Sequence, residues 1–281
     1  MNPRLILKQM IGNAVWGRQR LIKFEDAVAM TRDWCKRLPR SYDLVVGVPR
    51  TGLTIAGIIS DYFAIPLSTP EKLPDFWASR DIPKGEMRSI LIVEDGTTNG
   101  SHLFPAKAKA YDFFPGATVH IGSLLVNKAT IPLDTYGFML CDRTIAEWQL
   151  LHLEFSQNVA SDLDGVLCQD PPPFTTERNY IDWMTRAIPY RVPIYPLSVI
   201  ITSRSEKYRQ FTEDWLKENG VRYQRLIMAK GQSDSMAEKA GAINKYLPEF
   251  FLESNDGTAK ELHYRTGVPV ICISTMKLYS R

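Results

Sequence analysis

The sequence predicts an α/β protein in which two domains each contain a mostly parallel β-sheet flanked by helices. Its 281 residues exceed the length of one typical domain, so two domains are expected. Short apolar runs recur in both halves of the chain, and such runs are typical of strands buried on both faces of a parallel sheet. Amphipathic segments between these runs predict the helices that cover the sheets.

The predicted strands are the apolar runs, which are too short to form helices. They are Leu44 to Val48, Ile90 to Val93, Val119 to Val126, Phe138 to Leu140, Val159 to Ala160, Leu197 to Ile201, Phe250 to Leu252 and Val268 to Ile273. The predicted helices place their apolar residues on one face. They are Phe24 to Leu38, Leu53 to Phe63, Ser101 to Phe113, Glu206 to Asn219 and Ser235 to Tyr246. The boundary is predicted near residues 150–157, which gives domains at 1–155 and 156–281.

Composition limits the kinds of function. The four cysteines (Cys35, Cys141, Cys168 and Cys272) are scattered, which favours neither a zinc site nor a disulfide framework and suits a reducing cytoplasm. No apolar run approaches the ~20 residues that cross a bilayer, and the first residues lack the apolar core of a signal peptide. The net charge of +3 is small and dispersed, which argues against nucleic-acid binding. We expect a soluble cytoplasmic protein that binds small anionic molecules, with no nucleic-acid or membrane partner.

A run of polar residues follows the predicted strand at Ile90 to Val93. Glu94 and Asp95 present adjacent carboxylates, which suit hydrogen bonds from ribose hydroxyls. The next residues provide hydroxyls and backbone N–H groups at the start of a predicted helix, where a 5′-phosphate binds readily. They are Thr97, Thr98, Asn99, Gly100 and Ser101. An ordinary strand–turn–helix with an acidic N-cap is the alternative interpretation.

A second loop, Gly47-Val48-Pro49-Arg50-Thr51-Gly52, follows the strand at Leu44 to Val48. The forked guanidinium of Arg50 matches phosphate oxygens. Over roughly Phe24 to Asp142, the two loops resemble those that bind the sugar and the diphosphate in type I phosphoribosyltransferases. The resemblance implies that phosphoribosyl pyrophosphate binds here, contacting Arg50, Thr51 and Gly52, and that its phosphoribosyl group passes to a nitrogenous base. Mg²⁺ would be held mainly by the diphosphate and water.

The first half also departs from that family. The acidic loop is one residue shorter than the usual pattern and has Asn99 where glycine is expected, although asparagine tolerates the left-handed conformation. The shortening leaves the roles of Thr97 and Thr98 open. Residues 70–88 resemble the family's hood, with a solvated basic loop as the alternative; its basic residues are Lys72, Arg80, Lys84 and Arg88. Trp148 either stacks on a base or lies at a domain interface.

The second half contains Asp162-Leu163-Asp164-Gly165 directly after an apolar strand. This spacing resembles the start of haloacid-dehalogenase (HAD) superfamily phosphatases. The resemblance implies that Asp162 attacks phosphorus and forms an aspartyl phosphate, and that Asp164 protonates the leaving group and then activates water. A polar turn is the alternative interpretation of the two aspartates. The short stretch before the next strand implies a minimal cap.

The other elements of that resemblance follow in order. Thr202, with Ser203 beside it, ends a predicted strand and would bind a phosphoryl oxygen. The phosphate-binding lysine is either Lys239, in a predicted helix, or Lys230, in the preceding loop; the helical position is preferred. The resemblance implies that Mg²⁺ is bound by carboxylates, namely Asp162, Asp164, Glu253 and Asp256.

These features predict a bifunctional enzyme. The first domain would join a base to phosphoribosyl pyrophosphate, and the second would remove the phosphate from the resulting nucleotide. A non-catalytic first domain that senses a nucleotide or phosphoribosyl pyrophosphate and regulates the phosphatase is one alternative, favoured by the shortened acidic loop. Two independent activities are another. The first resemblance also implies a homodimer.

Overall fold

The structure is a computed structural model that describes residues 19–39, 41–74, 87–97, 99–126, 132–140, 143–152, 158–173, 176–231 and 235–280. These residues form two compact units. The first unit is residues 22–144, and the second is residues 145–281 together with the segment that ends at Leu21. The contacts therefore divide the chain at Thr144, whereas the domain boundary predicted from sequence lies at 155 and stays a prediction. Among the described residues, no helix has the length and apolar character needed to span a membrane.

The first unit contains a five-stranded parallel sheet in the order β3-β2-β4-β5-β6. The strands are β2 (Leu44–Gly47), β3 (Leu67–Ser68), β4 (Ser89–Thr97), β5 (Thr118–Val126) and β6 (Thr135–Met139). The helices are α1 (Phe24–Cys35), α2 (Thr51–Phe63) and α3 (Leu103–Phe113). A separate two-stranded sheet pairs β1 (Gln19–Ile22) with β7 (Arg143–Ala146).

The second unit contains a six-stranded sheet in the order β10-β9-β8-β11-β12-β13. The strands are β8 (Val159–Ser161), β9 (Val199–Ser205), β10 (Leu226–Ala229), β11 (Phe250–Glu253), β12 (Val270–Cys272) and β13 (Lys277–Tyr279). The helices are α4 (Glu177–Arg186), α5 (Arg209–Glu218), α6 (Ser235–Tyr246) and α7 (Asp256–Thr266). Only β13 is antiparallel to its neighbour. The predicted α/β class with mostly parallel sheets is confirmed.

Burial on both faces explains the apolar strands of the second unit. Neighbouring residues along β9, Ile200 and Ile201, belong to two different hydrophobic clusters. In β11, Leu252 belongs to one of these clusters and its neighbour Phe251 belongs to the other. Successive side chains of a strand point to opposite faces, so each strand contributes to a core above the sheet and a core below it.

Two helices of the second unit, α4 and α7, were not predicted from the sequence. The side chain of Thr176 accepts a hydrogen bond from the Asn179 backbone at the start of α4. Asn255 caps α7 in the same way, and α7 ends at Gly267 in the left-handed conformation. Such caps are readable signals of helix ends. The acidic residues around Asn255 were instead interpreted as metal ligands, with a helix cap at Glu253 as the alternative.

The order of strands positions the sites. In the first unit, β2 and β4 are parallel neighbours, with Gly47 paired to Val93. In the second unit, β8 lies between β9 and β11. The chain leaves β8 in one direction across the sheet and later returns on its other side, and this reversal creates a crevice at the carboxyl ends of β8 and β11. Ligand sites of such sheets lie at this edge.

Close packing of α2 on β4 gives a stability prediction. A Cβ atom on Gly52 would lie 2.8 Å from the Val93 carbonyl oxygen and 3.0 Å from Glu94 Cα, whereas a Cβ on Gly57 of the same helix would meet nothing within 4 Å. Gly52→Ala should therefore lower the free energy of unfolding of the first unit by about 1–3 kcal/mol through overpacking. The matched variant Gly57→Ala should raise it by up to about 1 kcal/mol, because alanine favours helix. Urea denaturation of both variants checks this, and equal effects would contradict it.

Candidate functional site

The two phosphate-type loops of the first unit lie at the same edge of its sheet. Arg50 follows β2, and its side chain is exposed. Thr51 begins α2, and Gly52 packs against the backbone of Val93 and Glu94. The contact between Gly52 and β4 brings the loop after β2 directly against the start of the acidic segment.

The acidic loop is held closed by its own side chains. Thr97 Oγ1 accepts a hydrogen bond from the Gly100 backbone at 3.0 Å, and Asn99 Oδ1 accepts one from the Ser101 backbone at 3.1 Å. Gly100 has a φ of 71°, which a residue without Cβ adopts at little cost. Two of the amides predicted to receive a phosphate therefore already have acceptors within the loop. An anion that binds them must displace Thr97 and Asn99. Thr98 lies outside the described residues.

The two predicted ribose-binding carboxylates differ in exposure. Glu94 is only 7 % exposed, and Asp95 is partly exposed. Glu94 Oε1 lies 2.9 Å from Nδ1 of His102, whose side chain is mostly exposed. Burial raises the pKa of Glu94, and the hydrogen bond to His102 opposes that rise. Sequence analysis missed His102, and no local signal marks it, because Glu94 and His102 meet only through the turn between β4 and α3.

The predicted hood lies partly outside the described residues, which exclude Arg80 and Lys84. Lys72 ends a short 3-10 helix (Pro70–Lys72), and Arg88 donates its backbone N–H to Asp43 Oδ2 at 2.8 Å. Trp148 is buried, so little of its ring is open for stacking on a base.

Asp162 lies at the centre of the site in the second unit. It follows β8 directly, and its backbone N–H donates to the Leu252 carbonyl of β11 at 2.8 Å. Its Oδ2 accepts a hydrogen bond from Lys239 Nζ at 2.5 Å, and its Oδ1 accepts one from the Leu163 backbone at 2.8 Å. Burial raises the pKa of Asp162, and the charge of Lys239 opposes the rise. Glu253 adds to it, because like charges disfavour ionisation.

Lys239 joins Asp162 to Glu253. Its Nζ also donates to Glu253 Oε2 at 3.0 Å, and all three side chains are buried. Burial by itself lowers the pKa of Lys239, but the charges of the two carboxylates outweigh burial and raise it. Glu253 Oε1 also accepts hydrogen bonds from the backbones of Ser254 and Asn255, at 2.9 and 3.2 Å. Of the two lysines considered from sequence, Lys239 contacts the predicted nucleophile, and Lys230 is exposed.

Asp164 is paired with an arginine that sequence analysis missed. Arg204 Nη2 donates to Asp164 Oδ1 at 2.7 Å, and Nε lies 3.1 and 3.2 Å from the two carboxylate oxygens. The arginine side chain is fully buried, and its guanidinium lies 5.1 Å from the centre of the Trp183 ring. Thr202 Oγ1 is buried and accepts the Arg204 backbone N–H at 3.2 Å, whereas Ser203 is exposed. Arg204 follows the predicted Thr202-Ser203 pair directly, which was the available signal.

The four carboxylates predicted to bind Mg²⁺ have different partners. Asp162 and Glu253 share Lys239, and Asp164 is bound by Arg204. Asp256 Oδ1 accepts from the hydroxyls of Tyr279 and Thr275, at 2.7 and 3.1 Å. Across the described ranges, no group of three or more His, Cys, Asp or Glu side chains is close enough to hold a metal ion. The donor set does not fit a metal in this arrangement, and the ligand assignment stays a prediction.

Asp170 is a further acidic residue near this site that sequence analysis missed. Burial raises its pKa, with added contributions from the charges of Asp164 and Glu253. A Cβ atom placed on Gly165 would lie 2.6 Å from Asp170 Oδ1. Asp170 therefore packs onto the turn that follows Asp164. No pattern in the proline-rich segment around it indicated this position.

Comparison with solved structures gives likenesses over about half of the chain. A purine phosphoribosyltransferase from Pyrococcus horikoshii is 19 % identical, with a TM-score of 0.36, covering 46 % of this chain and 93 % of that one. A xanthine-guanine-hypoxanthine phosphoribosyltransferase from Helicobacter pylori is 16 % identical, with a TM-score of 0.38, covering 47 % and 95 %. A hypothetical protein from Neisseria gonorrhoeae with bound ppGpp is 10 % identical, with a TM-score of 0.37, covering 47 % and 89 %.

These likenesses assign neither a family nor an activity to the chain, because the scores and identities are low. Nothing in them identifies the second unit as a phosphatase. No protein-family model and no curated protein matches the chain.

Proposed function

We propose that the chain is a bifunctional enzyme. The first unit transfers phosphoribosyl from phosphoribosyl pyrophosphate to a nitrogenous base, and the second hydrolyses the phosphate of the nucleotide that forms. The observation that carries the proposal is the buried contact of Asp162 with Lys239 at the switch point of the second sheet. Phosphate chemistry needs a nucleophile and a fixed positive charge at one place, and this contact supplies both.

The hydrolysis proceeds in two displacements. Asp162 attacks phosphorus, the bond from phosphorus to the ester oxygen breaks, and Asp164 gives that oxygen a proton. Water then attacks the aspartyl phosphate while Asp164 takes a proton from it, which releases phosphate and restores Asp162. Lys239 neutralises the negative charge that gathers between Asp162 and the phosphoryl group. Arg204 fixes the direction of the Asp164 carboxylate through its paired hydrogen bonds.

The HAD-like interpretation of the second unit belongs to this proposal. Its support is the order of the residues along the chain, with Asp162 after β8, Thr202 within β9, Lys239 in α6 and Glu253 at the end of β11. The contacts of Lys239 with Asp162 and Glu253 add to this support. Helix α4 lies between β8 and β9, where the sequence implies a minimal cap. Mg²⁺ enters the proposal only in the first unit, where the diphosphate of the substrate and water would hold it.

In the first unit, Arg50 and the turn after Glu94 and Asp95 would bind the diphosphate and the ribose. Their support is the shared sheet edge of the loops after β2 and β4. Dimerisation also stays a prediction.

A sensing role for the first unit is the second candidate. The observation that favours it is the closed acidic loop, in which the side chains of Thr97 and Asn99 occupy the amides of Gly100 and Ser101. In this case phosphoribosyl pyrophosphate or a nucleotide would bind without turnover and alter the rate of the phosphatase.

Incubation of the full chain with Mg²⁺, phosphoribosyl pyrophosphate and a panel of bases tests the proposal. The panel includes adenine, guanine, hypoxanthine, xanthine, uracil, orotate and nicotinate, and both pyrophosphate and free phosphate are measured. Asp162→Asn should abolish phosphate release while pyrophosphate release continues. Glu94→Gln with Asp95→Asn should abolish pyrophosphate release while a supplied nucleotide is still hydrolysed.

Three results would decide otherwise. Phosphate release from nucleotides, with no consumption of phosphoribosyl pyrophosphate with any base, would remove the transferase. Binding of phosphoribosyl pyrophosphate without pyrophosphate release, together with a changed phosphatase rate, would establish the sensor. Phosphate release that survives Asp162→Asn would remove the aspartyl-phosphate mechanism. Mass spectrometry of what the Asp162→Asn protein accumulates identifies the nucleotide.

A further inference from the structure

A cavity opens beside the Asp162 loop. Its volume is about 480 Å³, and its lining includes Gly165, Asp170, Tyr190, Arg191, Ser254 and Ser274. Gly165 directly follows Asp164, and Ser254 directly follows Glu253. The cavity therefore begins at the two loops that carry the proposed nucleophile, the proposed acid and the buried glutamate. A ligand in this cavity would contact the turns that follow Asp164 and Glu253.

The wall of the cavity is fixed to the catalytic loop. The backbone N–H groups of Tyr190 and Arg191 donate to the Leu167 carbonyl at 2.8 and 3.3 Å, and Gln169 donates to the Ile188 carbonyl at 2.9 Å. On the opposite side, a Cβ on Gly165 would lie 2.5 Å from the Ser254 side chain. The segment that carries Tyr190 and the loop that carries Asp164 therefore keep a fixed separation, as a specific binding site requires.

The lining combines three kinds of chemistry. Asp170 supplies carboxylate oxygens that accept hydrogen bonds from hydroxyls, and Arg191 supplies donors only. Ser274 donates to the Ser254 carbonyl at 2.6 Å, so the cavity floor is ordered. Tyr190 is 55 % exposed. An exposed aromatic ring among the residues that line the cavity provides a stacking surface for a flat ligand.

Size and chemistry together select one ligand class. A volume of about 480 Å³ lies within the range of small-molecule sites, which is about 300–1,000 Å³. A pentose alone leaves the Tyr190 ring unused, and a purely aromatic ligand leaves Asp170 without a donor. A nucleoside has hydroxyls at one end and a flat, acceptor-rich ring at the other.

We propose that this cavity binds the nucleoside part of a nucleoside 5′-monophosphate, with the base against Tyr190 and the ribose hydroxyls donating to Asp170. The inference rests on the proposed phosphatase activity of Asp162 and adds the residues that bind the nucleoside part of its substrate. Arg191 donates to acceptors on the edge of the base.

The test compares kcat/KM for adenosine, guanosine, uridine and cytidine 5′-monophosphates with kcat/KM for ribose 5-phosphate. The wild-type chain should prefer at least one nucleotide. Tyr190→Ala should lower that preference about tenfold, since stacking of one base contributes about 1–3 kcal/mol. Tyr190→Phe should retain it, because the ring remains. Tyr264→Ala is the matched control, because Tyr264 is an exposed tyrosine on α7 outside the cavity, and it should leave the preference unchanged.

A separate kinetic comparison tests the proposed contact between the ribose hydroxyls and Asp170. The wild-type chain should prefer the ribonucleotide over its 2′,3′-dideoxy analogue, and Asp170→Asn should reduce that ratio by about tenfold. This is the expected effect of exchanging a charged hydrogen-bond acceptor for a neutral one. A purely structural role for Asp170 would lower both rates equally and keep the ratio.

Hydrolysis of p-nitrophenyl phosphate separates the two proposals, since that substrate needs no nucleoside site. If the wild-type chain does not hydrolyse it, or Asp162→Asn still does, the phosphatase proposal fails and this inference fails with it. If hydrolysis depends on Asp162 but ribose 5-phosphate is preferred over every nucleotide, the cavity binds a phosphosugar and the inference is overturned. An unchanged nucleotide preference in Tyr190→Ala also overturns it.

Discussion

Replacing Lys239 with methionine is expected to lower the free energy of unfolding of the second unit by about 3–5 kcal/mol, the usual cost of removing one partner from a buried ion pair. The lysine contacts Asp162 at 2.5 Å and Glu253 at 3.0 Å, and both carboxylates are largely buried. Methionine has a similar length but no charge. Two buried carboxylates would then face each other without a counter-charge.

Hydrogen exchange at the amides of β11 (Phe250–Glu253), combined with urea denaturation, measures this loss in the second unit separately from the first. Lys245→Met is the matched control, because Lys245 lies exposed on the same helix, α6. It should change the free energy of unfolding by less than about 0.5 kcal/mol. Adding Asp162→Asn to Lys239→Met should recover part of the loss, since it removes one unpaired charge. A loss below about 1 kcal/mol in Lys239→Met would show that the carboxylates do not need the lysine.

Replacing Arg204 with methionine is expected to cost about 3 kcal/mol, at the low end of the range for a buried pair, because water reaches part of Asp164. The variant also removes the contact of the guanidinium with the Trp183 ring. The rate of phosphate release should also fall, because the Asp164 carboxylate loses its fixed orientation. Arg204→Lys keeps the charge but loses the fork, so stability should recover more than activity does.

Arg265→Met is the control for this prediction. Arg265 Nε lies 2.6 Å from Glu261 on the exposed surface of α7, and exposed pairs of this kind contribute less than about 1 kcal/mol. Urea denaturation and the p-nitrophenyl phosphate assay should be applied to all three variants. Equal losses of stability in Arg204→Met and Arg265→Met would contradict the expectation that the buried ion pair stabilises the protein more than the exposed pair does. Full activity in Arg204→Lys would contradict the positioning of Asp164 by the guanidinium fork.

The secondary structure was largely predictable from local patterns. The predicted helix at Ser235 to Tyr246 coincides with α6, and the predicted helix at Leu53 to Phe63 begins within α2. Continuous apolar runs identified most strands, because burial on both faces leaves no polar positions. The strand β10 was not predicted, although its residues are apolar and only the residues after this short run, including Lys230, were interpreted as a loop. The caps at Thr176 and Asn255 were readable but were not used.

The polar contacts of the site were less predictable. Asp162 and Lys239 are separated by 77 positions, and Asp164 and Arg204 by 40. No local pattern relates residues so far apart. The order of residues in the sequence did not decide whether Lys230 or Lys239 binds the phosphate. It also gave no role to Arg204, His102 and Asp170. Each of these contacts depends on which strands are neighbours and on how each helix packs over them.

By itself, the sequence determined the α/β class, the buried strands and the turns that carry carboxylates and hydroxyls, because apolar periodicity and turn chemistry act over a few residues. Only the tertiary structure decided which side chains meet. In the folded chain, the side chains of Thr97 and Asn99 accept hydrogen bonds from amides of the acidic loop. Lys239, rather than Lys230, donates a hydrogen bond to Asp162. The physical reason is that a buried charge is stable only beside a partner, and that partner is set by the order of strands in the sheet.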